Sequence, residues 1–215
     1  MPTETSTAVI DALRWRYATK SFDATKKIPA SQFERLEDAL QLSPSSFGLQ
    51  PYKFVIVTNQ KLKDELLAAC WNQAQVVNCS HFVILARDLE INEKSVETYV
   101  DLISETRNVP AESLKAYKDM MIGYVKNSTP EKLADWASKQ AYIALGNLMT
   151  VAATFKIDNC PMEGIVQPEV DRILNLKEKG CSAVVACALG YRAEDDKHAQ
   201  LKKVRFSKEK LFIHI

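Results

Sequence analysis

The sequence predicts an α+β unit in three layers, a small central sheet with helices on both faces. Three short β-prone runs, 52–58, 81–86 and 181–189, stand among many longer stretches of helical period. No internal repeat, low-complexity tract or Pro/Ser-rich linker interrupts the 215 residues, so one domain over 1–215 is expected. With 47% apolar and 26% charged residues the chain is ordinary and long enough to bury a sizeable core.

Taken in order, residues 5–17 carry Val9, Ala12, Leu13 and Arg16 at helical spacing and predict a first helix. Pro29 and Ser31 open a second, Ser31-Gln32-Phe33-Glu34 having the form of a capping box. That helix should stop at Ser43-Pro44, because a residue before proline is pushed out of helix. Tyr52 to Thr58 reads as a strand and 60–71 as a helix. The run from His81 to Ala86 is continuously apolar, the pattern of a strand buried on both faces. Residues 91–106, 111–126 and 130–155 read as helices, with Pro110 and Pro130 near first-turn positions. Cys181 to Leu189 is a further buried strand, closed by Gly190. The ending Lys210-Leu-Phe-Ile-His-Ile215 is β-prone and needs a sheet edge to join, its own or a partner's.

Several functions are excluded or disfavoured. A formal charge of +1 lacks the basic excess of a sequence-independent nucleic-acid binder. The six glycines cannot make a dinucleotide fingerprint or a P-loop. No nucleophile elbow is present, and His81, His198 and His214 are too scattered for a metal site. The five cysteines form no CxxC pair and sit among apolar neighbours, as buried thiols do in a reducing compartment. No run approaches the length of a membrane span, and no secretory signal opens the chain, so a cytoplasmic protein is expected. With so little acid, base or nucleophile available, a cofactor would carry any chemistry.

Two basic clusters remain, Arg16 to Lys20 near the start and Lys202 to Arg205 near the end, roughly 180 residues apart. If the ends meet, they form a phosphate clamp, the arginine fork binding oxygens and lysine adding compact charge. Taken alone, 202–210 reads first as a solvated charged tail, because charge runs usually face water; the pairing with Arg16 to Lys20 is what turns the reading toward a clamp.

Four segments in order carry a likeness across the chain: Arg16-Tyr-Ala-Thr-Lys-Ser-Phe-Asp23, Leu42-Ser-Pro-Ser-Ser-Phe-Gly-Leu-Gln-Pro-Tyr-Lys-Phe54, Cys160-Pro-Met-Glu-Gly164 and Lys203-Val-Arg205. Trp71 to Gln75 adds a weaker match. Together they resemble the FMN-dependent nitroreductase family, closest to its oxygen-insensitive NAD(P)H nitroreductase and dihydropteridine reductase branch. The resemblance implies a mostly antiparallel central sheet flanked by helices, in a homodimer with two FMN at its interface and the C-terminal strand exchanged onto the partner's sheet. The apolar helix 130–155 would lie in the dimer core. It implies that Arg16, Lys203 and Arg205 grip the FMN phosphate, with Tyr17 and Ala18 in the same motif. Lys20 would approach the pyrimidine end of the flavin and stabilise the charge of its reduced form. Ser45, Ser46 and Gly48 would face the flavin from the opposite subunit, although alone they form an ordinary Ser/Pro loop. Asn72 and Gln75 would lie beside the flavin and its ribityl chain. Pro161, Glu163 and Gly164 would form the turn whose backbone meets the N5 edge. Ile122 and Tyr124 would wall the acceptor pocket.

There are departures from the family pattern. Ala18 replaces a common serine, Gly48 a common asparagine and Gln75 a lysine found in some members, each removing a contact or a charge. The implied reaction is ping-pong: NAD(P)H reduces the flavin, then a small planar acceptor such as a nitroaromatic, quinone, pteridine or flavin takes its place. No side chain is assigned as a catalytic acid or base. A flavin carrier or sensor without turnover, or a related reaction such as reductive dehalogenation, would use the same binding residues.

Overall fold

Strands form where β-branched, aromatic and small apolar residues run together, and the computed structural model, which describes residues 4–215, contains four of them. These are β1 (Tyr52–Val57), β2 (His81–Asp88), β3 (Asp158–Met162) and β4 (Cys181–Gly190). Their spatial order is β1-β2-β4-β3, and every pairing is antiparallel. The two apolar runs therefore occupy the middle of the sheet, where both faces are covered.

Helices are α1 (Glu4–Trp15), α2 (Ala30–Gln41), α3 (Gln60–Ala69), α4 (Gln75–Asn78), α5 (Glu93–Arg107), α6 (Lys115–Lys126), α7 (Pro130–Thr154), α8 (Gln167–Ile173) and α9 (Lys208–Leu211). Strand alternation sorts the core into two layers. Phe82, Ile84, Ala86, Ala186 and Ala188 pack with Leu66 of α3, Val76 of α4 and Val170 of α8. Val83, Leu85, Val185, Cys187 and Leu189 pack against Phe33, Leu36 and Leu40 of α2 and the Ala141–Leu148 stretch of α7. The pair α5 and α6 closes a smaller cluster over Phe47 and Leu49. The three-layer arrangement is as expected, and its long helix starts where Pro130 and the Thr129 cap place it.

The sheet edges differ. Ala18 and Thr19 pair with Asn159 of β3, Ala18 in parallel, and residues 21–23 pair with 191–193 just past the end of β4. Among the described residues no strand covers β1. Between β1 and α2 lies a groove of about 420 Å³ lined by Leu40, Tyr52, Phe54 and Ile56 among others.

Several local expectations change. The first helix stops at Trp15 rather than residue 17, because the next residues are drawn into pairing with β3. No capping box forms at Ser31: the cap is Pro29, and the N–H groups of Gln32 and Phe33 bond its carbonyl. Ile28, buried and held by Ser80 Oγ at 2.8 Å, sets that earlier start. Helix α3 ends at Ala69 because Trp71 and Asn72 turn left-handed, Asn72 N–H closing on Leu67 O at 2.9 Å. Residues 111–114 form a 3₁₀ turn ahead of α6. Strand β3 and helix α8 were not delimited by periodicity. Leu211, expected in the terminal strand, ends α9 instead, and residues 212–215 pair with no strand among the described residues. Among the described residues no helix is long and apolar enough to cross a membrane.

Candidate functional site

The two basic clusters meet. Lys203 Nζ donates to the carbonyls of Leu13 (2.9 Å) and Arg16, capping the C-terminal end of α1 as lysine does at a negative dipole end. Arg16 Nε donates to Asn159 Oδ1 at 3.2 Å, and Asn159, fully buried, anchors itself on Met149 O. Arg14, Arg16, Tyr17, Ala18, Pro161, His198, Lys202, Lys203 and Arg205 line one cavity of about 500 Å³.

Charge in this cavity is unbalanced. Burial pulls Arg16 below the ordinary arginine pKa, Cys187 opposes the shift and Arg205 adds to it. Lys203 is lowered by burial and then by Arg16 and Arg205. Among the described residues none of the three cations is in an ion pair. Cations that repel one another around a cavity, with no carboxylate between them, suit a multiply charged anion.

Two buried carboxylates hold the scaffold of this cradle. Asp158 takes Arg192 at Oδ1 through Nε (2.9 Å) and Nη2 (2.5 Å), and takes the Arg192 N–H at Oδ2. The Arg192 guanidinium lies over both Trp15 (4.3 Å) and Tyr17 (4.6 Å). Asp196 Oδ2 accepts from Tyr17 O–H (2.8 Å), Lys20 N–H (2.9 Å) and Ser21 N–H (3.1 Å). Burial alone would raise the Asp196 pKa, but these donors and the His198 N–H outweigh it and hold the carboxyl down to about 2. Lys20 is thereby pinned by its backbone, while its side chain stays exposed.

A second group gathers beyond Pro161. Gly164 lies against Trp71 and Gln73: a Cβ there would come within 2.8 Å of the indole, so only glycine fits. Gln73 Nε2 donates to Gly164 O at 3.1 Å, tying the 71–75 segment to the 163–164 turn. Asn72 sits in this junction, whereas Gln75 is buried. Glu163 accepts from Tyr142 O–H of α7 at 2.6 Å.

The Ser45–Gly48 turn lies elsewhere in the subunit. Ser45 Oγ accepts from Gln50 N–H (2.9 Å), and Ser46 N–H donates to Gln140 Oε1 (2.8 Å). Gly48 has φ +74°, and a Cβ would overlap the Tyr99 hydroxyl at 2.0 Å, so asparagine has no room here. Tyr124 packs edge-on to Phe47 (5.5 Å), and Ile122 joins the same cluster, placing both beside this turn.

The sequence profile of the nitroreductase family matches residues 13–191. The chain is 38% identical over 203 residues to YfkO of Bacillus subtilis, provisionally named an NAD(P)H nitroreductase, covering 88% of this chain and 90% of that one. A Staphylococcus saprophyticus protein of the same provisional name is 39% identical over 206 residues, covering 91% and 93%.

The chain belongs to the nitroreductase family.

Its fold agrees with solved family structures. YdfN of B. subtilis superposes with TM-score 0.85 at 20% identity, covering 98% of this chain and 100% of that one. A nitroreductase of Exiguobacterium sibiricum solved in complex with FMN gives TM-score 0.82 at 19% identity, covering 96% and 97%.

Within this nitroreductase several site-building residues escaped sequence reasoning. Asn159, Asp196, His198, Arg192 and Tyr142 carry no motif of their own. Asp196 sits in a run of charged residues that looks like solvated surface, although Asp-x-His is a recognisable local turn, Asp196 Oδ1 accepting from the His198 N–H.

Proposed function

We propose that this chain is an FMN-dependent oxidoreductase that takes a hydride from NAD(P)H and reduces small planar electron acceptors. The observation that carries the reading is the convergence of Arg16, Lys203 and Arg205 on one cavity without a carboxylate. In that reading the cradle holds the FMN phosphate, with Tyr17, Ala18 and Pro161 as its walls. When bound, FMN supplies the two-electron chemistry between NAD(P)H and a nitroaromatic, quinone, pteridine or flavin.

The chain's own residues place the reacting edge. The Glu163-Gly164 turn, tied to Gln73, offers backbone close to the flavin because no side chain intervenes. Lys20 brings positive charge to the ring, and Asn72 lies at its ribityl side. Gln75 is buried, so it has little surface to offer the flavin. Donor and acceptor would use one site in turn, giving ping-pong kinetics.

The working unit is a homodimer. Val9, Ile10 and Leu13 of α1 and Tyr142 and Ile143 of α7 are exposed apolar groups on one subunit. Phe212, Ile213 and Ile215 are exposed too, and the open edge of β1 with its apolar groove is where a partner's terminal segment would add. Ser45, Ser46 and Gly48 then serve the partner's flavin, with Ile122 and Tyr124 as the acceptor wall.

The test is the visible spectrum of the purified protein before and after anaerobic NAD(P)H. Flavin bands that bleach are expected. A protein that neither carries nor takes up FMN overturns the reading, and bands that neither NADH nor NADPH bleaches leave a binder without turnover.

A further inference from the structure

The cavity has a lining residue that no basic cluster accounts for. His198 lines it together with Arg16, Lys203 and Arg205, and its side chain is 54% exposed. Its position is fixed from below. Asp196 Oδ1 receives both the His198 N–H (3.0 Å) and the ring Nδ1 (3.2 Å). Asp196 itself is 4% exposed and is locked by the Tyr17, Lys20 and Ser21 donors.

The chemistry of that contact sets the tautomer. A carboxylate held ionised has no proton to give, so the proton between the two groups belongs to Nδ1. Nε2 is the ring nitrogen left over. In the neutral ring it carries only a lone pair, which repels an anionic oxygen. In the protonated ring it becomes a donor. We infer that His198, oriented by Asp196, is an additional ligand of the bound phosphate, and that it contributes only in its protonated form, so that anion binding takes up a proton. This rests on the reading of the cavity as the FMN phosphate cradle.

Other charged groups surround His198. Arg14, Arg16 and Tyr17 face the cavity from α1 and the segment after it, and Lys202, Lys203 and Arg205 from the C-terminal segment, while Asp196 lies buried behind the ring and does not line the cavity. Tyr17 stays neutral with its pKa raised by burial and by Asp196, and Asp196 stays ionised.

The test is FMN affinity by fluorescence quenching between pH 6.5 and 8.5, where the phosphate is mostly dianionic, with riboflavin as the probe lacking phosphate. Wild type should bind FMN about fivefold more weakly at the upper pH, a modest factor because the ring is partly solvated. Riboflavin binding should stay flat. His198→Gln should bind FMN at the high-pH wild-type level throughout, and Asp196→Asn, which frees the ring, should lose most of the slope. Parallel pH curves for wild type and His198→Gln overturn the inference while leaving the cradle intact. Failure of wild type to bind FMN at any pH removes both.

Discussion

The two edges of the sheet make opposite use of the chain. At the β3 edge the molecule finishes itself. Ala18 and Thr19 pair with the strand, Asn159 and Asp158 are buried beneath them, and Arg192 is clasped between Trp15 and Tyr17. At the β1 edge nothing in the chain covers Tyr52 to Val57 among the described residues, and an apolar groove runs beside it. Polar networks satisfied within one subunit fix a geometry to tenths of an ångström. An apolar groove and a free ladder fix only a direction of approach. In the proposed dimer the cradle is built at the first kind of edge and assembly is left to the second.

The largest effect should come from attacking the open edge. Deleting residues 212–215 removes Phe212, Ile213 and Ile215, whose burial on a partner would contribute roughly 5 kcal/mol per arm. Sedimentation velocity should show monomer, and flavin should be lost with the dimer. A truncated dimer that keeps FMN would break the division of labour between the edges.

The closed edge should respond next. Arg16→Ala combined with Lys203→Ala removes two charge-assisted contacts, each about 1.5–3 kcal/mol, and should weaken FMN binding by roughly a hundredfold or more. The oligomeric state should stay the same. If flavin content is unchanged, the two clusters are solvated surface.

A mid-sheet group gives a smaller effect that belongs to neither edge. His81, stacked on Phe33 at 3.9 Å, is pushed down to about 4 by burial and then by Lys63 and Lys27. Between its ordinary value of 6.5 and about 4 the unfolded chain binds a proton that the folded one refuses. Stability is therefore full above pH 6.5 and falls as the pH drops toward 4, by about 3 kcal/mol at most. Urea midpoints over that range, compared with His81→Gln, should show the slope shrinking in the variant.

The smallest change links the helix of the proposed interface to the reacting turn. Tyr142 is pushed up to about 12 by burial and then by Glu163, so its hydroxyl remains a donor at neutral pH. Tyr142→Phe removes an exposed contact worth less than about 1 kcal/mol. The flavin midpoint potential and the rate of reduction by NAD(P)H should move slightly, with FMN affinity preserved.

These differences also mark what the sequence made legible. The middle strands were plain, because Phe82 to Ala86 and Val185 to Leu189 are buried on both faces and need no polar alternation. Strand β3 was not, because Asp158, Asn159 and Pro161 are poor strand formers whose place is set by Arg192, Arg16 and the pairing with β4. The same holds in the site. Arg16, Lys203 and Arg205 stood out as charge. Asp196 was invisible, since a buried carboxylate and a solvated one look alike until their donors are known. Gly48 was legible as a departure from the family, but its cause, the Tyr99 hydroxyl from α5, is a tertiary contact.

The cradle also fixes an order of events. Its parts come from residues 16–20, from 158–161 and from 196–205, and Lys203 meets Arg16 across 187 positions of sequence. No local stretch can form it. Closing so long a loop costs entropy before any contact rewards it, so the sheet must condense first. A refolding chain should regain its far-ultraviolet signal before its Trp15 environment, and an unfolding one should lose the cradle while the central strands still hold. The proposed anion-binding corner is in this sense the seam of the molecule: the last place sewn and the first to open.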